Sequence, residues 1–364
     1  MKMIYDERNT MFSRARLKPG TKAYTDFYNA HPHLKPLDDK VRGMDITEKL
    51  RKSDHYKSLF LPLTESNTTI IKALHDIVNK KPIAKKQPIP NHFHKNIKAI
   101  TNHFGAAKTG IVKLTKAHYY SHHGGVNDRI GITNNYGLPT DKHYTHAIVY
   151  MIPMNLEYIN RAPFFEEMLE TEHVYVKIAE TGSKLALYLK SIGYDAMFQS
   201  EAYYLTPLVP LAYDAGLGEI GMANHIVTPE FGDRVRLGAV LTTLPLKQDA
   251  PIDFGLEQFC KRCALCLMNC PSHSIKPHKR IVNGRPFYKF DDQTCFNLWK
   301  NTGTDCGTCI QSCPFSQGID KKTIDAMKEN PTLIDEIIQA HLEKHGRRRM
   351  TKEELPIVRL EEKE

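Results

Sequence analysis

All eight cysteines fall between Cys260 and Cys313, and their spacing is the most specific chemistry in this 364-residue chain. The first run is Cys260-x2-Cys263-x2-Cys266-x3-Cys270, followed by Pro271. The second is Cys295, then Cys306-x2-Cys309-x3-Cys313, followed by Pro314. Three closely spaced thiolates wrap one corner of an iron–sulfur cubane. In the bacterial ferredoxin pattern the cysteine before proline ligates the neighbouring cluster. The spacing therefore assigns Cys260, Cys263, Cys266 and Cys313 to one 4Fe–4S cluster, and Cys270, Cys295, Cys306 and Cys309 to a second. Disulfide frameworks belong to small secreted chains, and a zinc knuckle has no use for a fourth thiolate in so short a run. Two clusters in sequence form a wire for single electrons.

The rest of the chain must position that wire. A chain of 364 residues is long enough for about two domains. No segment approaches the roughly 18 uninterrupted apolar residues of a membrane span. The first twenty residues carry scattered positive charge without an apolar h-region, so they do not read as a signal peptide. With thiolate ligands, this predicts a cytoplasmic protein with no membrane partner. The net charge of +9 collects locally at Lys80–Lys81, Lys85–Lys86 and Arg347–Arg349. Such clusters read as solvated surface and docking ground for an acidic electron donor; charge alone fits an acidic protein and RNA alike.

Apolar periodicity predicts helices over Thr64–Asn79, with Ile70, Ile71, Leu74, Ile77 and Val78 in register, and from Phe93 to Phe104, capped by Gly105. The stretch between them, Lys80–Pro90, holds three prolines and four lysines and reads as a linker. Strand-like runs follow at Thr109–Leu114 and His146–Met154, separated by a His- and Tyr-rich loop, His118–Tyr144. Thr171–Ile192 reads as a long amphipathic helix with Gly193 at C′. Further strands are expected at Ala196–Gln199, His225–Thr228 and Arg236–Thr242. This predicts an α+β chain divided as an arm and helix (1–80), a core (81–250), a ferredoxin-like two-cluster domain (251–320), and a helical extension with a charged tail (321–364).

Outside the cysteines, three segments are distinctive: Ala215-Gly-Leu-Gly-Glu-Ile-Gly221, Val227-Thr-Pro-Glu-Phe-Gly-Asp-Arg-Val-Arg236, and the early Tyr5-Asp-Glu-Arg-Asn-Thr-Met-Phe12. Together with the cysteine runs they resemble the cobalamin-dependent reductive dehalogenases, to which epoxyqueuosine reductase is related. The resemblance implies a nitroreductase-like cobalamin-binding core, with cobalamin bound base-off and without a protein ligand to cobalt. It implies that Tyr175, about twenty residues before Ile192–Gly193–Tyr194, is the proton donor and that Arg236 supports it. A phenol is a poor acid at neutral pH, and a neighbouring guanidinium favours its anion. Gly216, Gly218 and Gly221 would permit the close backbone approach that such cofactor binding needs. Glu201 lies near the position of a polar substrate contact in some members.

Where the family has apolar residues, this chain has Asn224–His225, which puts polar groups at the pocket or the cofactor's lower face; His225 is given no role. The D-x-H-x-x-G cobalamin signature is absent from the sequence. The expected activity is replacement of a halogen of a small organohalide by hydrogen. Neither a twin-arginine leader nor a fused flavin reductase is visible, so a separate donor such as a ferredoxin, flavodoxin or flavin reductase is expected. Two alternatives stand beside this: an epoxyqueuosine reductase-like tRNA-modifying enzyme, disfavoured by Glu219-Ile-Gly-Met-Ala-Asn224 after the glycines, and a cobalamin or electron carrier without turnover. A nucleic-acid partner is not expected on the first reading. Spacing does not rank which cluster lies nearer the cobalt.

Overall fold

The computed structural model describes residues 4–43, 46–48, 59–125, 135–201 and 203–359. Helices α1 (Lys22–Ala30) and α2 (Lys35–Val41) precede the longer α3 (Leu61–Lys80) and α4 (Phe93–His103). Then come β1 (Lys108–Lys113), β2 (His146–Pro153), α5 (Phe165–Ser191), β3 (Ala196–Gln199) and α6 (Leu208–Asp214). The short β4 (Glu219–Ile220) and β5 (Ile226–Val227) lead into β6 (Val235–Thr242). The cysteine-bearing part contains α7 (Leu256–Cys263), a hairpin of β7 (Ile275–Val282) and β8 (Arg285–Phe290), and α8 (Asp292–Thr302). Helices α9 (Lys321–Glu329) and α10 (Ile334–His345) follow.

The mixed helix-and-sheet character agrees with the sequence. β2 and β6 are apolar on both faces because they are the middle strands of an antiparallel sheet ordered β1-β2-β6-β3. Their register runs from His146 opposite Thr242 to Pro153 opposite Val235. Ile148, Tyr150 and Ile152 face a layer built from α3, α4 and α5, where Val174, Ile178, Leu185 and Leu189 are fully buried. Ala147, Val149 and Met151 face the opposite layer, with Leu211 and Ala212 of α6. Each such buried aliphatic side chain contributes roughly 1.5–3 kcal/mol, so this double-faced core dominates the stability.

Residues 81–90 are not a free linker. They lie along the end of α5, where Ala84 N–H donates to Lys190 O (2.9 Å) and Gln87 N–H to Ile192 O (2.9 Å). The early segment is wrapped against the cysteine-bearing part: Met11, Ala15 and Val41 pack with Phe296 of α8. Buried Arg14 bridges Asp38 (3.0 Å) and Asp292 (3.0 Å). Of the loop expected at His118–Tyr144, residues 126–134 lie outside the described residues.

Candidate redox and proton-transfer site

Cys260, Cys263, Cys266 and Cys313 line one cavity of about 30 Å³, closed by Phe259, Phe315 and Asp233. Helix α7 carries the first two. It starts where Phe254 N–H (2.6 Å) and Leu256 N–H (3.3 Å) donate to the Glu219 carboxylate, which satisfies the helix's first donors. It stops at Ala264, whose φ of +46° turns the chain so that Cys266 returns toward Cys260. Cys313 arrives from the far end of the segment, just before the turn Pro314–Gln317.

The other four thiols lie beside these. Cys295 feels the charges of Cys306 and Cys270, and Cys309 those of Asp233, Cys306, Cys266 and Cys295. Burial pushes the Cys260 and Cys295 thiols up to about 12 and that of Cys263 to about 11. Thiols this deep are thiolates at neutral pH only when bound directly to a cation. Backbone N–H groups already aim at them, including Ser274 N–H toward Cys270 Sγ (3.3 Å). Among the described residues no three His, Cys, Asp or Glu side chains converge on a single ion. The spacing Cys260-x2-Cys263-x2-Cys266-x3-Cys270 followed by proline is what suits a cubane.

The proton-transfer candidates lie on α5 and β6. Glu167, Thr171 and Tyr175 occupy one stripe of α5, four residues apart. Arg236, on β6, places its guanidinium 5.1 Å from the Tyr175 ring centre. It donates to Thr171 Oγ1 (2.6 Å) and pairs with Asp305 at 3.5 Å, one residue before Cys306. Burial raises the Tyr175 hydroxyl above its ordinary value, Arg236 pulls it down, and burial wins. The sequence argument weighed only the second effect, since depth is a tertiary property. Burial also works against the Arg236 charge, but Tyr175, Asp305 and Glu167 together raise its pKa. Glu167 is pushed well above the carboxylate range by burial and by Asp305.

Tyr120, Tyr175 and Tyr204 are half-buried, and burial raises all three hydroxyls. The charge of Glu201 reaches both Tyr175 and Tyr204. Among the described residues Arg236 Nε–H has no partner, leaving one buried donor near Tyr175 for a bound group. A planar cofactor edged with hydrogen-bonding amides fits these residues.

The three glycines separate. Gly216 has a φ of +69°, and a Cβ there would strike Ala250 O; one on Gly218 would strike Val227 O. Packing within the protein already accounts for both. Gly221 lies against the cysteines, with its Cβ position 3.9 Å from Cys260 Sγ. Of the two polar departures, His225 borders the cysteine-lined cavity. Asn224 (φ +60°) pairs with the Tyr288 backbone through Nδ2 to O (2.9 Å) and N–H to Oδ1 (2.9 Å), pinning the β7–β8 hairpin. His225 Nδ1 meets Asp233 Oδ2 at 3.1 Å.

Sequence reasoning passed over Glu167, Thr171, Asp305 and Asp233. The four-residue spacing on α5 was visible in the sequence. The convergence of Asp305 and Asp233 depends on tertiary folding and left no local signal.

Residues 259–317 match the family model of the 4Fe-4S dicluster domain. The chain is 33% identical over 181 residues to the tetrachloroethene reductive dehalogenase of Sulfurospirillum multivorans, an alignment covering 48% of this chain and 36% of that protein. It is 30% identical over 142 residues to the epoxyqueuosine reductase of Synechococcus sp., covering 36% of this chain and 43% of that protein. A solved reductive dehalogenase, described with a mechanism for B12-dependent dehalogenation, superposes with a TM-score of 0.66. That match is 24% identical and covers 78% of this chain and 41% of the other. The chain thus spans less than half the length of these proteins.

Proposed function

We propose, from the premise that this chain is a relative of the reductive dehalogenases, that it replaces a halogen of an organohalide by hydrogen. The observation carrying this reading is the meeting of Tyr175, Arg236 and Asp305 one residue from Cys306. Cys260, Cys263, Cys266 and Cys313 would hold one 4Fe–4S cluster, and Cys270, Cys295, Cys306 and Cys309 the other. Base-off cobalamin would lie beside Tyr175 and Arg236, in a nitroreductase-like core with Gly221 toward the cysteines. When bound, the clusters supply single electrons and the cobalt supplies reductive cleavage of the carbon–halogen bond.

The protein's own part is proton supply and charge compensation. Tyr175 Oη holds the proton that replaces the halogen. Arg236 stabilises the tyrosinate left behind and the departing halide, because its guanidinium stays charged and reaches both. Glu167 and Thr171 fix Arg236 from the neighbouring turns of α5. The apolar walls around Tyr175 exclude water that would otherwise hydrate the anion. Electrons come from a separate acidic donor such as a ferredoxin, flavodoxin or flavin reductase, drawn by the chain's net charge of +9. The working compartment is the cytoplasm; among the described residues no helix is long and apolar enough to cross a membrane.

Anaerobic reconstitution tests this reading. Purified chain loaded with iron, sulfide and cobalamin should retain all three and release halide from an organohalide panel with a strong artificial reductant. Retained iron without retained cobalamin removes the corrinoid from the reading. Retention of both without halide release leaves a carrier. The epoxyqueuosine relative supports tRNA modification as the runner-up, and salt-dependent tRNA binding would favour it.

A further inference from the structure

Among the described residues lining the first cavity, Asp233 is the one acid, and the proposed reaction does not use it. Its side chain is 4% exposed, yet its carboxylate borders the space lined by Cys260, Cys263, Cys266 and Cys313. Its charge reaches Cys260, Cys266 and Cys313 of one group and Cys309 of the other. Both oxygens have a polar partner. Ser316 Oγ–H donates to Oδ1 (2.6 Å), while Asp233 N–H donates back to Ser316 Oγ (3.2 Å). His225 Nδ1 lies 3.1 Å from Oδ2. Ser316 and His225 thus fix the position of the carboxylate from two sides.

Burying a carboxylate among thiolates is unfavourable on electrostatic grounds, and a neutral residue would pack there at lower cost. Its fixed position on the Gly232 loop, against the last cysteine's turn, points to a use for the charge itself. We propose that Asp233 is a tuning residue for electron transfer. Its fixed negative charge disfavours adding an electron to the clusters and holds at least one of them at a lower reduction potential. His225 and Ser316 act as positioning residues that keep the carboxylate aimed at the thiolates. A lower potential suits a relay that must pass electrons to a strongly reducing centre. This inference rests on the cysteines holding 4Fe–4S clusters, so iron and sulfide content of the unaltered chain is measured first; a chain without clusters fails that reading, not this one.

The test is potentiometric titration of the full chain, with clusters followed by electron paramagnetic resonance. Asp233→Asn with full iron and sulfide should show at least one midpoint moved to more positive potential. Ser316→Ala, which removes a hydrogen bond but keeps the charge, should move it less, and Asp233→Glu should stay near the unaltered value. Unchanged midpoints in an iron-complete Asp233→Asn overturn the proposal. Should that variant not take up iron, Asp233→Ser is read in the same way. Failure of both neutral variants beside an iron-complete Asp233→Glu makes the carboxylate an assembly requirement and also overturns tuning.

Discussion

Replacing Arg236 by Gln should slow proton delivery by about tenfold to a hundredfold. The guanidinium lies 5.1 Å from the Tyr175 ring centre, and its side chain is 20% exposed. At an effective dielectric of about 20, a unit charge at that distance is worth roughly 3 kcal/mol to the tyrosinate. Burial already raises Tyr175, so losing Arg236 moves the hydroxyl further up and weakens it as an acid. Only part of the change appears in the transition state, which sets the lower end of the range. The assay is single-turnover halide release by anaerobic, fully loaded protein across a pH series. The alkaline limb should shift upward in Arg236→Gln while the plateau falls, because the acid stays protonated longer but gives up its proton less readily. Arg236→Lys keeps the charge and should remain within about tenfold of the unaltered rate. An Arg236→Gln protein with full iron and cobalamin that releases halide at the unaltered rate would refute the electrostatic argument.

Tyr175→Phe should retain both clusters and cobalamin yet lose halide release by at least about a thousandfold if this hydroxyl is the acid; normal turnover removes it from that role. Glu219→Ala withdraws the acceptor at the start of α7 and should cost about 1–2 kcal/mol, read as a lower thermal midpoint and easier iron loss to chelator. Two buried groups should tilt stability in opposite directions with pH. Burial lowers His75 to about 4 from its ordinary 6.5, so between those values the unfolded chain takes up a proton that the native state refuses, and stability falls as pH drops. Burial raises Glu7 to about 7, so its native state keeps a proton the unfolded chain has lost, and stability falls as pH rises from about 4.5 to 7. Anaerobic denaturant titrations should show His75→Gln gaining on the unaltered protein toward pH 5 and Glu7→Gln gaining toward pH 7, each by on the order of 2–3 kcal/mol; parallel curves would exclude both assignments.

Ligand spacing is local, so a two-cluster segment was legible in the chain and residues 259–317 match such a domain; the central strands were legible too, because their apolar runs mark burial on both faces. The start of α5 was less visible. Periodicity placed it at Thr171, but the helix begins at Phe165. Its first turns carry Glu166, Glu167 and Glu170, buried acids that erase the apolar stripe. Glu170 is tied down by Asn155 N–H at 2.6 Å, a partner the sequence does not reveal. The β7–β8 hairpin went unread although Asn283–Gly284, with φ of +52° and +82°, is a strong turn signal. Its strands are exposed and rich in Lys and Arg, so no alternating apolar face announced them. The net direction of Tyr175 was illegible for a related reason: neighbours can be guessed from an alignment of motifs, but depth cannot.

Arg234 reaches Met154 O (2.6 Å) at the end of the sheet and Ser316 O (3.1 Å) beyond the last cysteine, while a Cβ on Gly232 would strike the backbone at Ser316. One short loop therefore serves as hinge pin for two parts that look separable on paper. A foreign ferredoxin spliced in after residue 250 would leave that pin without a socket, and the damage would surface two residues on, at Arg236 in β6. Engineering the electron path and engineering the acid are, in this molecule, a single problem.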